Sequence, residues 1–387
     1  MKSIIKESMQ ASYDLSDNFA SPTNINSPEE DKTISRNSSR DSRPRLPEEM
    51  PHEILLAIGG WSGGSPTNEI EAYDSITTSW RKVTEDITMK EERPRAYHGV
   101  VFWDKYIYII GGFDGQNYYD SVRRINIINF NKSEEPPMNS KRCYVSCCIS
   151  GKTIWAIGGM DGNKRLDSCE CYTIGQSGQS WKNMPNMNEK RSDADSTAHD
   201  GKIYVVGGFN GTDCLNSVEF FDNDTFQWTK ITPMNSKRSG PSAVCLNDKI
   251  FAVGGFDDLN RLRSAEYYCS KTNTWHYTKN MINPRSNFGI EVLDNRIIAI
   301  GGFNGYQTTS NVEAYDDEND EWYELPDMKV FRSALACVTI KNVPMDSIKT
   351  FAAEKVELLD EDSGIEEKDM AHGFGHVEGF WARYGRG

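Results

Sequence analysis

The amino-acid sequence predicts an all-β protein, a six-bladed β-propeller whose C-terminal strand closes blade 1, and three recurring markers predict it. A Gly-Gly pair ends an apolar run at Gly59-Gly60, Gly111-Gly112, Gly158-Gly159, Gly207-Gly208, Gly254-Gly255 and Gly301-Gly302, with successive intervals of 52, 47, 49, 47 and 47 residues. A tryptophan follows at Trp80, Trp181, Trp228, Trp275 and Trp322, the last four 47 residues apart. An arginine closes each unit at Arg95, Arg142, Arg191, Arg238, Arg285 and Arg332, and the 16 residues from Arg95 to Gly111 recur unchanged in the next four units. Markers that hold one period over six copies signal a repeat array.

The fourth unit shows the four strands. Ser192 to Ala198 is the first, and His199-Asp200-Gly201-Lys202 is a hairpin turn of the Asp-Gly kind, which supplies the positive φ such turns need. Ile203-Tyr204-Val205-Val206 is an unbroken apolar run, as expected of a strand buried on both faces. Ser217 to Asp222 alternates and forms the third strand, and Gln227-Trp228-Thr229 forms the fourth. Four short antiparallel strands per unit make one propeller blade, and neighbouring blades must stack to bury both faces of each. The first unit begins in the second-strand pattern at Glu53-Ile54-Leu55-Leu56, and the last ends in a first strand at Arg332 to Ile340 with no second strand after it. The two orphans complete each other. Unit two departs from the pattern, with Lys132 where Trp228 sits and Arg123 where Glu219 sits. Its outer strands should pack less well.

The flanks differ from the middle. Residues 1–50 carry Ser, Asn, Pro and mixed charge without period, and residues 343–387 include an acidic run from Glu357 to Asp369. Both are expected to be disordered tails around a propeller over 51–342. With 43 Lys+Arg against 57 Asp+Glu the net charge is −14, which argues against a general nucleic-acid binder. No apolar run reaches the ~20 residues that cross a bilayer. The nine cysteines show no disulfide spacing, so a reduced, cytoplasmic protein is expected.

Topology assigns the face that works. The first and second strands form a hairpin, so each arginine lies on the same face as the residue after the next Gly-Gly. Those residues are Trp61, Phe113, Met160, Phe209, Phe256 and Phe303, and hydroxyls follow four of the arginines at Ser192, Ser239, Ser286 and Ser333. Guanidinium forks pair with carboxylates, and aromatic rings bury apolar area. The partner-binding candidates are therefore Arg142, Arg191, Arg238, Arg285 and Arg332 with these serines and with Trp61, Phe113, Phe209, Phe256 and Phe303. The competing reading gives the arginines a structural role, bonded to loop carbonyls and neighbouring acids. A longer connection over Thr84–Pro94 is expected to shape the rim of this face.

The hydrophobic-Gly-Gly, Glu-x-Tyr-Asp and Trp pattern resembles the kelch repeat over about residues 54–341. Arg45-Leu46-Pro47, Ala57 to Asn68, Pro284 to Glu291 and Arg332 to Leu335 are similar to the BTB–BACK–kelch adaptor family, one branch of which is associated with male germ cells. That resemblance implies a non-enzymatic substrate-recognition module of a cullin-3 type ubiquitin ligase, taking an acidic or phosphorylated peptide of a protein substrate. It also implies that cullin-3 binds only if a longer form supplies the BTB and BACK regions, so the chain as given is expected to be monomeric. The alternative is an actin-binding cytoskeletal kelch protein. Some kelch propellers are copper oxidases, but His98, His199 and His276 are not expected to converge. Cys147-Cys148 and Cys169-x-Cys171 lack the paired spacing of a zinc site. No metal and no cofactor are expected.

Overall fold

The computed structural model describes residues 53–83, 93–175 and 178–341. The expected tails, most of the connection over Thr84–Pro94 and the middle of Gly175–Gly178 lie outside the described residues.

Six four-stranded antiparallel sheets are arranged as a ring of blades. Their inner strands, Gly99–Trp103, Ser146–Ser150, Asp195–His199, Ser242–Leu246, Gly289–Leu293 and Ala336–Ile340, are neighbours in a closed circle. Blade 1 is built from both ends of the repeat region. Ala336–Ile340 pairs antiparallel with Ile54–Ile58, from Ile54 opposite Ile340 to Ile58 opposite Ala336. Ile70–Asp74 and Ser79–Lys82 complete that sheet.

The second strands are continuous apolar runs because each face meets a different neighbour. Leu56 and Ile58 pack with Ile107 and Ile109 of blade 2. Leu55 and Ala57 pack instead with Ile298 and Ile300 of blade 6. Six such clusters fill the six interfaces. The outer-strand tryptophans add a polar latch. Nε1 of Trp80, Trp181, Trp228, Trp275 and Trp322 donates to a carbonyl of the preceding blade's exit, at 2.8–3.1 Å. A buried indole thus finds the partner it needs. In blade 2, Lys132 stands opposite Ile125 just as Trp228 stands opposite Phe221, so the register confirms the substitution read in the sequence.

The turn in blade 4 has φ of 48° at Asp200 and 67° at Gly201, the geometry that an Asp-Gly hairpin supplies. The inner strand starts at Asp195, three residues later than the sequence suggests. Ser192 still pairs with Phe209, but Asp193 at φ 52° breaks the ladder between them. The equivalent break occurs in every blade.

Candidate functional site

Each repeat arginine is placed by its blade's own Gly-Gly pair. Arg238 Nη1 donates to Gly254 O at 2.7 Å and to Ser264 O at 2.8 Å. Its Nε and Nη2 reach Glu266 Oε1 at 3.1 and 3.0 Å. Arg142 and Arg191 repeat this set with Glu170 and Glu219. Arg285 and Arg332 repeat the carbonyl bonds and pair with Glu313 and Glu71. The main chain of the arginine serves the other side, since Gly255 N donates to Arg285 O at 2.8 Å across the blade interface. Glycine is required there: Gly254 has φ 61°, and a Cβ on it would stand 2.6 Å from Arg285 O.

These bonds correct the expectation for Arg142, Arg191, Arg238, Arg285 and Arg332. Their exposures are 0–1%, so no guanidinium reaches a partner. A buried charge must be paired and fully bonded, and each arginine joins two strands of its own blade to the next interface. The carboxylates are equally buried. The hydroxyl expectation fails in the same way for Ser192, Ser286 and Ser333, which are buried, while Ser239 is half-buried. The constant interval of 28 residues from Arg142 to Glu170, repeated from Arg191, Arg238 and Arg285, was the signal for this pairing in the sequence. Blade 2 carries no acid at the equivalent third-strand position. Arg123 takes that register position, opposite Ile109, and Arg95 bonds Gly111 O and Ser121 Oγ while lying 4.3 Å from the Tyr119 ring.

The centre of the face is drawn into a hydrogen-bonded ring. Tyr97, Tyr144, Asp193, Gly240, Asn287 and Ala334 each stand two residues after a repeat arginine, with φ between 50° and 61°. Each donates its N–H to the carbonyl of the equivalent residue one blade back, at 2.7–3.1 Å, and Tyr97 N to Ala334 O closes the circle. The side chains add to the closure. The Tyr97 and Tyr144 rings lie 4.0 Å apart, and Asn287 Nδ2 donates to Asp193 Oδ1 at 2.9 Å. Non-glycine residues at positive φ persist only where the surroundings over-determine them, and a closed ring of bonds does that.

Around this ring stands a crown of hairpins between the second and third strands. Trp61, Phe113, Met160, Phe209, Phe256 and Phe303 form bridges to the residue after each arginine, as the hairpin topology requires. All are half-buried and keep surface at the mouth, so the aromatic candidates Trp61, Phe113, Phe209, Phe256 and Phe303 remain. In four blades the side chain six residues after the Gly-Gly leans on the next hairpin: Pro66 on Gly115, Tyr118 on Gly162, Arg165 on Gly211 and Arg261 on Gly305. Arg165 lies 4.5 Å over the Phe209 ring and donates from Nε to Ser192 Oγ at 3.0 Å. Arg261 lies over Phe256 at 4.1 Å and Phe303 at 5.3 Å. Periodicity could not reveal these two arginines, because they occur at only two of six equivalent positions. Arg93, at the end of the long connection, lines a recess with Trp61, Pro66 and Asp114.

Beneath the ring lies a cavity of about 170 Å³ whose lining includes His98, Cys147, Asp195, Glu291 and Cys337. Asp195 accepts from Ser146 Oγ, Ser196 N and Ala243 N, and Thr339 Oγ1 reaches Glu291 at 3.5 Å. Burial raises Asp195 to about 6 and Glu291 to about 7, and it lowers His98 to about 3. In the fold the raised acids keep their protons up to about pH 6 for Asp195 and about pH 7 for Glu291. Their stabilising contribution is whole below about pH 4 and is lost as pH rises through 6–7. His98 acts with the opposite sign, costing stability as pH falls below its ordinary value. Glu291→Gln imitates the protonated acid and leaves His98 untouched. The variant is expected to melt with the wild type near pH 4 and to be more stable at pH 8 by about 1–3 kcal/mol, trimmed by contact with the cavity. Melting curves at the two pH values check this, and equal curves at pH 8 would refute it.

The histidines weighed for copper stand apart. His98 faces the cavity, His199 Nδ1 lies 3.4 Å from Cys245 Sγ, and His276 bonds Thr274 Oγ1 on an outer strand. Cys147 and Cys148 diverge as adjacent strand residues must: Cys147 lines the cavity, while Cys148 packs in the core between blades 3 and 4 beside Cys169 and Cys171, which share one face of their strand. Among the described residues no three His, Cys, Asp or Glu side chains group as metal ligands.

Comparison with known proteins agrees with this architecture. Residues 145–343 match the family described as KLHDC2/KLHL20/DRC7 Kelch-repeats domain, and residues 52–85 and 94–131 match the Kelch motif. Kelch repeat-containing protein kel-10 of Caenorhabditis elegans is 30% identical over 198 residues, which is 48% of this chain and 34% of that protein. Spermatocyte protein spe-26 of the same organism is 25% identical over 50% of this chain and 34% of its own length. Kelch-like protein 36 of Bos taurus is 25% identical over 46% of this chain and 29% of its own. The chain thus covers about a third of the length of these relatives. Repeats, ring closure and matched residues together place the chain in the kelch-repeat family, as a propeller that serves as a protein-interaction module.

Proposed function

We propose that this propeller recognises the substrate of a cullin-3 type ubiquitin ligase adaptor. The observation that carries the reading is the division of labour on one face. The recurring arginines and the glutamates that hold them are buried, while the crown around the closed ring carries side chains that differ from blade to blade. Variable surface groups on a rigid scaffold suit selective binding. Relatives named kelch repeat and BTB domain-containing proteins support the adaptor class. The match to a spermatocyte protein, with segments similar to kelch-like protein 10, supports a role in male germ cells. In this reading a longer form supplies BTB and BACK regions for cullin-3, and the protein works in the reducing cytoplasm with its nine cysteines as thiols.

Co-precipitation of that longer form from testis extract tests the proposal. Cullin-3 should come down with it, and captured partners should accumulate when the proteasome is inhibited. Co-sedimentation with actin filaments, without cullin-3, would replace the adaptor reading by the cytoskeletal one.

A further inference from the structure

The outer strand of each blade leaves one edge of its sheet unpaired, and the repeat closes that edge in a regular way. In blades 3, 4 and 5 the residue after the entry-loop methionine is Asn139, Asn188 or Asn235. Its Nδ2 donates to the carbonyl of that blade's outer-strand tryptophan, Trp181, Trp228 or Trp275, at 3.0–3.2 Å. Each asparagine thus occupies an edge group that a foreign strand would need. Lys329, which keeps a donor, takes this position in blade 1. Among the described residues only blade 6 loses the donor: Ile282 stands there, exposed.

The open edge can be followed residue by residue. Trp322 stands opposite Tyr315 as Trp275 stands opposite Tyr268, so the carbonyl of Trp322 faces out of the sheet as that of Trp275 does. The N–H and C=O of one strand residue point to the same side, and the sides alternate. Trp322 and Glu324 therefore present both groups beyond the sheet. Trp322 Nε1 bonds Lys279 O, three residues before Ile282, so ring and isoleucine share one face. Glu321 and Glu324 are exposed, and neither forms an ion pair among the described residues. Glu321 also stands directly opposite Asp316, so like charges meet across the outer pair. A second copy of this strand fits the edge poorly, because it would bring its own two carboxylates to the same seam. A cationic strand fits it.

We infer that the outer edge of blade 6 accepts an extended segment of another protein as an added antiparallel strand, and that this segment carries Lys or Arg at two positions three apart with an apolar residue just before the second. Its backbone bonds the open groups of Trp322 and Glu324. Its basic residues stand opposite Glu324 and Glu321, on opposite faces of the sheet, and the apolar residue stands opposite Trp322 and packs on Ile282. Antiparallel pairing continues the order of the blade and is the more stable kind. Main-chain bonds supply the affinity of an added strand, and its alternating side chains supply the selectivity. This surface lies on the rim of the ring, and the inference does not depend on what the mouth binds.

A fluorescent peptide, Thr-Thr-Arg-Thr-Val-Arg-Thr-Thr, tests this on the full 387-residue chain. It should bind, and the amides of Trp322 and Glu324 should then exchange with deuterium more slowly. Ile282→Asn restores the cap of blades 3 to 5 and should weaken binding roughly ten-fold, the worth of one lost hydrogen bond to the edge. That side chain is in solvent, so the variant should melt like wild type. Glu321→Gln with Glu324→Gln should also weaken binding, as should added salt. A copy N-methylated at its valine should lose binding, because it keeps every charge but cannot donate to the edge. A copy with the order Arg-Val-Thr-Arg should bind more weakly. Binding indifferent to Ile282→Asn and to N-methylation is charge attraction alone and overturns the inference. Absence of binding at millimolar peptide overturns it as well.

Discussion

Glu266→Ala is expected to lower the stability of the propeller by about 3–5 kcal/mol, because it leaves Arg238 buried and charged without its acid. The magnitude follows from the environment. Both side chains are at 0% exposure, so water cannot replace the lost carboxylate. The same carboxylate also accepts from Asn235 N and Nδ2 and from Ser236 N, so a loop into blade 5 loses its anchor as well. In a domain of this size the loss corresponds to a fall in Tm on the order of 10 °C. Glu266→Gln keeps an acceptor and is expected to cost less than half as much. Blade 2 supplies the internal comparison. Its third strand carries Arg123 in place of the glutamate, so Arg95 lacks the third-strand carboxylate that holds Arg238, and Arg95→Ala should cost less than Arg238→Ala. Thermal melts of the four variants check the order, and a larger loss at Arg95 would refute it.

Deleting residues 332–340 is expected to remove cooperative unfolding altogether. The strand Ala336–Ile340 supplies the edge partner of Ile54–Ile58, whose five residues are at 0–2% exposure. Without it Val338 and Ile340 leave the interface of blades 1 and 2, and Cys337 leaves that of blades 6 and 1. Fully burying one such side chain is worth about 1.5–3 kcal/mol. Their loss and that of Arg332, together with exposure of the second strand, reach the ~5–15 kcal/mol of net stability that a domain has. An open, apolar strand edge also invites association. Far-UV circular dichroism and light scattering of the deleted chain should show a non-cooperative melt and aggregation. A sharp melt near that of the intact chain would mean that the ring does not depend on closure.

The two expected effects separate what the sequence makes legible from what it hides. Blade number, strand order and closure were readable, because Gly-Gly, Trp and Arg recur with a period that no local accident produces. Gly254 and Gly255 recur because their backbone must meet Arg285 O and turn at positive φ. The same regularity misleads about function. Arg238 and its equivalents look like a ring of binding cations when only their spacing and face are considered. Their fate depends on Glu266 and its equivalents, which lie 28 residues away on the third strand. A buried pair and an exposed pair share one spacing, and only packing separates them. Asp193 shows a second limit. Its positive φ belongs to a ring of bonds that six separate blades make together, and no blade shows it alone. Arg165 and Arg261 were missed for the opposite reason. They break the repeat, and a search for what recurs passes over them.

The central claim is that the recurring arginines hold the ring and the non-recurring crown does the recognising. One paired measurement tests it most directly: thermal melting and partner capture on the full chain, for Glu266→Gln beside Arg165→Ala with Arg261→Ala. The account expects the first variant to melt earlier and keep its partners while folded. It expects the crown variant to keep its melting temperature within a few degrees and lose them. Partners lost with Glu266→Gln at a temperature where it is folded, and retained by the crown variant, would contradict it.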